Sequence, residues 1–317
     1  MVKKEIDLVI GGPDMSGTNT QVMDLIDFFR SKGITVRDMR GTEMDALFHA
    51  KIFEEHNKKY LNLKEFESDE NVLLEDKDKI MRKMMDLMRG GNTNEDLRIA
   101  SFLDNGVSTF VDPDSADVWV FEEPTKRGSG QVNRTIEQWR SNYGSSIDPI
   151  AAAYTHAVYR VDEFLRFRKI LRDKKKIIIR SRSEESGCYQ ISHDKRLPNG
   201  ISRKQYFELP GHKIAFAYPP THIFIAHAPA DWSKDDYFKM WKERSGDRDA
   251  DDYETNADYM LLVNNRYATE WFEEFYKEGC SMHGGKMPRI YRFDMRAPKD
   301  QLKEQMVNKL KMILEID

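Results

Sequence analysis

The chain of 317 residues carries a net charge of −4, and 33% of its residues are charged, so it lacks the basic footprint expected of a duplex nucleic-acid binder. Its only two cysteines, Cys188 and Cys280, argue against a disulfide framework. No apolar run approaches the roughly 18 residues that a membrane span needs. We therefore expect a cytoplasmic protein without membrane contacts, of a length that suits one large α/β domain with insertions or two small domains.

The first predicted elements are a short buried strand at residues 5–10 and an amphipathic helix at 19–32, joined by a glycine-containing loop. Gly33 is placed where a C-terminal helix cap would lie. Residues 34–36 are a candidate second strand. A strand, a tight loop and a helix in this order are the start of an α/β unit.

Residues 41–115 have a different character. They contain charged helical patterns and no second phosphate-binding sequence. We predict that this region is a largely helical insertion within one domain that spans residues 1–317.

The α/β pattern then resumes to the end of the chain. Four further strands are predicted at 117–121, 176–179, 222–226 and 289–293, with helices at 147–171, 233–244, 257–279 and 300–314. Strands that alternate with helices favour a mainly parallel sheet covered on both faces. The predicted fold is a three-layer α/β/α domain.

The loop after the first strand has the frame of a phosphate-binding loop but not its usual side chains. Gly12 and Gly17 have the spacing of G-x-x-x-x-G-K-[ST], whereas Thr18 and Asn19 occupy the Lys and Ser/Thr positions. Backbone N–H groups at a helix N-terminus can hold phosphate without a lysine. The pattern predicts triphosphate binding by Gly12, Met15, Ser16, Gly17, Thr18, Asn19 and Thr20. Taken alone, the same sequence also fits a purely structural turn.

Three later segments accompany this loop in a fixed order. They are EEPTKR at 122–127, AVYR at 157–160 and RSRSEESGCYQ at 180–190. Together with the loop, this order resembles the thymidylate kinase family of P-loop nucleoside monophosphate kinases, over residues 12 to 190 and apart from the insertion. The resemblance implies a P-loop fold and phosphoryl transfer from ATP, with Mg²⁺, to a pyrimidine nucleoside monophosphate such as dTMP.

The resemblance also implies roles for individual residues. Asp14 would contact the sugar of the monophosphate, and Arg160 would recognise its base. Tyr189 and Gln190 would help to close the acceptor site. The full set predicted to bind the monophosphate is Asp14, Glu123, His156, Arg160, Ser186, Tyr189 and Gln190.

Several charged positions depart from the family pattern. Glu122 stands where the family has an arginine, and Arg180-Ser181 stand where it has Asp-Arg. Because phosphoryl transfer depends on charge neutralisation, other cations must replace the missing lysine. We predict that catalytic charge is supplied by Arg180, Arg182, Arg244 and Arg248.

Three functions remain open from the sequence. The first is a kinase of pyrimidine monophosphates, and the second is a kinase with a changed acceptor. The third is a catalytically inactive protein that binds nucleotide and acts as a scaffold. All three predict nucleotides as partners, and a homodimer is possible. No residue spacing indicates a protein-bound metal centre.

Overall fold

The computed structural model describes residues 5–40, 113–124, 149–192, 200–245 and 256–316. Within these ranges the strands β1 to β6 are Ile6–Gly11, Val36–Asp38, Val118–Glu122, Ile177–Ser181, His222–His227 and Arg289–Asp294. The helices α1 to α10 are Thr18–Ser31, Pro149–Glu163, Lys169–Asp173, Gly187–Gln190, Arg203–Glu208, Pro210–Ala217, Lys234–Ser245, Ala257–Ala268, Trp271–His283 and Lys299–Leu314.

The six strands form one parallel sheet in the order β2-β3-β4-β1-β5-β6. This confirms the predicted α/β class and parallel sheet. β1 lies in the interior of the sheet, between β4 and β5, and its residues are buried along the whole strand. A strand buried on both faces reads as a nearly continuous apolar run, as this one does.

Alternate side chains of the sheet enter two separate cores. On one face, Leu8 and Ile10 pack with residues of α1 and α10 such as Phe29 and Leu310. On the other face, Val9 packs with residues of α2, α6, α8 and α9, among them Phe216. The domain therefore has the three layers that alternating strands and helices predicted.

The structure differs from the prediction in four places. The second strand, predicted at 34–36, is Val36–Asp38. The region 147–171, predicted as one or two long helices, contains a π-helical segment, Phe164–Arg168, between α2 and α3. The helix predicted at 257–279 is two helices, because Thr269 is extended and ends α8 before α9 begins at Trp271. The short helices α4 to α6 between β4 and β5 were not predicted.

The predicted insertion lies almost wholly outside the described residues. Of residues 41–115, only Pro113–Ser115 are described, and they form a single 3₁₀ turn. In the part of the chain with described coordinates, no helix has the length and apolar character to cross a membrane.

Candidate functional site at the carboxyl edge of the sheet

The loop after β1 lies where the chain connections diverge. From β1 the chain runs to α1 on one face of the sheet, whereas from the neighbouring β4 it runs to α4 on the opposite face. Adjacent strands that diverge in this way open a crevice at their carboxyl ends, which is where ligands bind in open α/β sheets. The predicted phosphate-binding loop is therefore at a position suited to a ligand.

The backbone of this loop requires glycine at its first position. Gly12 has φ of 146°, and a Cβ atom there would lie 2.3 Å from the carbonyl oxygen of Ala226. Gly17 and Met15 adopt left-handed conformations with φ of 79° and 67°. Left-handed residues within a short loop turn successive N–H groups toward one side, which favours an anion.

The loop leads directly into the N-terminus of α1. Gly17 is the N-cap residue, and no side chain of the described residues caps the helix. The N–H groups of its first turn therefore have no partner from a capping side chain, and the helix dipole makes this end positive. The hydroxyl of Ser16 is buried and has no hydrogen-bond partner within the described ranges, while Gln21 Nε2 donates to the Ser16 carbonyl and fixes the base of the loop.

Arg182 brings a guanidinium group to this loop. Its backbone N–H donates to Ile10 O at 2.9 Å, and its Nη1 donates to Gly12 O at 3.0 Å. Its Nη2 donates to Asp14 Oδ1 at 2.5 Å, and the group lies 5.4 Å from the centre of the Tyr189 ring. Burial opposes the charge of Arg182, but Tyr189 and Asp14 outweigh it and raise the pKa of the guanidinium. Three residues predicted from the sequence, Asp14, Arg182 and Tyr189, thus meet beside the loop.

Arg244 reaches the loop from the last turn of α7. Its Nη1 donates to Met15 O at 2.7 Å, and its Nη2 donates to Met295 O at 2.5 Å. Arg248, predicted as a partner of Arg244, lies outside the described residues. Of these two arginines, which were predicted to supply catalytic charge, Arg244 contacts the loop backbone.

Thr18, Asn19 and Thr20 form the first turn of α1. Asn19 and Thr20 are exposed, and Asn19 Oδ1 accepts a hydrogen bond from Ser181 Oγ at 3.0 Å. Among the described residues, no group of three or more His, Cys, Asp or Glu side chains could hold a metal ion. Magnesium commonly keeps several waters and binds through few protein oxygens together with substrate phosphates. Asn19 Oδ1 and Ser181 Oγ, which lie together at the start of α1 and the end of β4, are oxygens that could bind a cation that arrives with a nucleotide.

Arg180 lies away from the loop, although it was predicted as a catalytic residue. Its Nε donates to Asp7 Oδ1 at 2.8 Å, and its Nη1 donates to Glu184 Oε2 at 3.2 Å. Asp7 is fully buried and also contacts Arg168 and Arg172. Burial would raise the pKa of Asp7, but these three arginines hold it well below its usual range. Asp7 was not among the predicted site residues, although a charged residue inside an otherwise apolar strand is a signal of a buried ion pair.

Arg160 is also buried, in what we call the Arg160 cluster (Glu123, Arg160, Ser183, Ser186, Tyr206 and His212). Its side chain is 2% exposed. It donates to Glu123, to Ser183 O at 3.0 Å and to Ser186 Oγ at 2.7 Å, and also to Tyr206 Oη and His212 Nε2. Arg160, Glu123 and Ser186 were predicted to bind the monophosphate together. The structure brings them together, and their polar groups bond to one another.

The remaining predicted acceptor residues lie around this cluster. His156 is buried, with Nδ1 3.9 Å from Glu123 Oε1, and Gln190 is half-buried near the end of α4. A small cavity at the ends of β3 and β4 is lined in part by Glu123, Arg160, Arg180 and Arg182. Arg182 is thus common to the cavity and to the loop.

Glu185 was not among the predicted site residues, and it packs against Gly11, the residue before the loop. A Cβ atom on Gly11 would be 3.0 Å from its Cγ, and its carboxylate accepts the N–H of Ser183. Burial, followed by the charge of Glu123, raises the pKa of Glu185 to about 8. The protonated, uncharged form of Glu185 is therefore favoured near pH 7.

Comparison with protein-family models and with curated proteins finds no match to this chain.

Proposed function

We propose that the protein binds a nucleoside triphosphate through its Gly12–Thr20 loop and transfers phosphate from ATP to a pyrimidine nucleoside monophosphate such as dTMP. The observation that carries the proposal is the left-handed, uncapped entry into α1 at a sheet crevice, with the Arg182 guanidinium against it. Backbone donors at a helix N-terminus bind phosphate, and a nearby guanidinium strengthens that binding through charge-assisted hydrogen bonds.

The chemistry would depend on position and charge. In phosphoryl transfer the protein mainly aligns the reacting groups and neutralises the developing charge. The loop N–H groups would hold the triphosphate, and Arg182 would supply the positive charge that a lysine at position 18 would otherwise give. Magnesium, bound with ATP, would neutralise further phosphate charge near Asn19 and Ser181.

The acceptor would occupy the crevice beside Asp14 and Tyr189. Asp14 is a partly exposed residue of the loop, so its carboxylate is placed to meet a sugar hydroxyl. Arg182 would have to exchange some of its contacts with Gly12 and Asp14 for phosphate oxygens. Arg160 would not contact the acceptor but would hold Ser183 and Ser186 in position through its hydrogen bonds to them.

Titration calorimetry with each nucleoside mono- and triphosphate, followed by chromatography of the products, tests the proposal. We expect ATP to bind, thymidine or uridine monophosphate to bind better than purine monophosphates, and diphosphates to form when both substrates are present. Equal affinity for all four monophosphates would contradict the acceptor assignment, and no triphosphate binding would contradict the whole proposal.

A second candidate is a nucleotide-binding protein without kinase activity. It is favoured by the observation that both arginines already have protein partners. Arg182 donates to Gly12 O and to Asp14, and Arg160 donates to Glu123. Such a protein would bind ATP in the calorimeter and yield no diphosphate from any monophosphate. The same pair of measurements therefore separates the two candidates.

A further inference from the structure

The contacts of Arg244 concern the shape of the phosphate-binding loop. Both terminal nitrogens of its guanidinium donate to main-chain carbonyls, one on Met15 in the loop and one on Met295 just after β6. Met295 is itself fixed, because its N–H donates to His227 O at 3.0 Å. Arg244 therefore ties the loop to the end of the sheet.

The carbonyl that Arg244 holds belongs to the strained residue of the loop. Met15 has φ of 67°, a left-handed conformation that a residue with a Cβ adopts at a cost. Residues in such conformations persist where surrounding contacts over-determine them. The peptide group between Met15 and Ser16 is held at both ends. Arg244 donates to its carbonyl oxygen, and its N–H donates to Pro13 O at 3.1 Å.

We propose that Arg244 is a positioning residue that holds Met15 in its left-handed conformation and so keeps the loop in its phosphate-binding shape before a ligand arrives. The expected effect of Arg244 on nucleotide affinity rests on the proposed function, whereas its expected effect on the conformation of the loop does not. The role differs from direct contact with the transferred phosphate, which the sequence suggested. Arg182 holds the other end of the loop through Gly12 O.

The helix that carries Arg244 is anchored well enough to act in this way. Tyr237 of α7 is 2% exposed and lies in the core shared by α8 and α9, and its ring packs edge-on to Trp232. The guanidinium of Arg244 is thus presented from a packed element. Lys242 in the same turn is exposed and serves as a matched control of equal charge.

The test compares Arg244→Gln, Arg244→Lys and Lys242→Gln in the full chain. Hydrogen exchange of the loop amides in the nucleotide-free protein should be faster in Arg244→Gln than in the wild type, and unchanged in Lys242→Gln. Affinities for ADP and for ATP should both fall about tenfold in Arg244→Gln, the size expected for one lost charge-assisted hydrogen bond. Arg244→Lys should recover part of both effects.

A second variant isolates the left-handed residue. Glycine adopts positive φ without cost, so Arg244→Gln should accelerate loop exchange less in a Met15→Gly background than in the wild type. Unchanged loop exchange in Arg244→Gln, or an equal effect in both backgrounds, would overturn the proposal. A loss of affinity for ATP alone would also overturn it, because it would identify Arg244 as a ligand of the γ-phosphate. If the wild type binds no nucleotide, the proposed function fails, and the exchange data still decide the role of Arg244.

Discussion

The Gly12–Thr20 loop and the Arg160 cluster both place arginines at the carboxyl edge of the sheet, but with different surroundings. Beside the loop, the side chain of Arg182 is 21% exposed and is paired with a partly exposed Asp14. In the cluster, Arg160 is 2% exposed and is paired with Glu123, which is 7% exposed. A cation that keeps contact with water can exchange partners with a ligand at low cost, whereas a buried, fully paired cation is part of the fold.

The two regions should therefore respond differently to mutation. Changes in the cluster should affect the free energy of unfolding. Changes beside the loop should affect nucleotide binding and leave unfolding nearly unaltered.

The largest effect is expected for Arg160→Ala. Removing one partner of a buried ion pair leaves the other charge uncompensated, and we expect a loss of about 3–5 kcal/mol in the free energy of unfolding, measured by urea denaturation. The control is Arg296→Ala, whose exposed pair with Asp294 should contribute under about 1 kcal/mol. A loss for Arg160→Ala as small as the control's would show that Arg160 is available to a ligand.

The next largest effect concerns how the stability of the fold depends on pH through Asp7. Because the arginines around Asp7 depress its folded-state pKa, its contribution is fully present above the unfolded value of about 3.9. It is lost as pH falls through the lower folded value, and a depressed carboxyl of this kind contributes roughly 2–3 kcal/mol. Asp7→Asn should lower stability at pH 7 and flatten its decline below about pH 4. An unchanged pH profile of the urea midpoint would contradict the assigned network.

Arg182→Ala should weaken ATP binding by about 1.5–3 kcal/mol, the range for a hydrogen bond to a charged group, with little change in unfolding. Arg180→Ala is the matched comparison. It removes one of the three arginines that pair with the buried Asp7 and the arginine that pairs with the buried Glu184, so its main effect should be on stability. If calorimetry shows the larger loss of affinity for Arg180→Ala, the two arginines have been assigned the wrong roles.

The smallest effect on stability is expected for Asp14→Asn. The Asp14–Arg182 pair is partly exposed, and such pairs contribute under about 1 kcal/mol. Monophosphate binding should weaken clearly, because the carboxylate is the proposed partner of the sugar hydroxyl. An unfolding loss that exceeds the change in binding free energy would place Asp14 with the structural residues instead.

Local patterns predicted much of this fold but little of its buried electrostatics. The strand Ile6–Gly11 and the helix Thr18–Ser31 were predicted within one residue at each end. Both have a clear local signal, an apolar run in the strand and apolar residues at helical spacing in the helix. The division of the long helix at Thr269 was missed, since it reflects local backbone geometry rather than periodicity.

At the site, the sequence predicted that Arg182 supplies charge near the Gly12–Thr20 loop, and the structure places its guanidinium against Gly12 O. The sequence could not show that Arg180, two residues from Arg182, turns to Asp7 instead. That choice depends on a carboxylate distant in sequence, so it follows from the packing of β1 against β4.

The central claim is that Gly12–Thr20 binds a nucleotide phosphate through its backbone, and Gly17→Val tests it most directly. Valine is strongly disfavoured at the left-handed φ of 79° that Gly17 adopts, so the variant should distort the entry into α1. We predict that calorimetry detects ATP binding to the wild type and none to Gly17→Val, while circular dichroism shows both to be folded. Unchanged ATP affinity in the folded variant would contradict the account and reduce the loop to a structural turn.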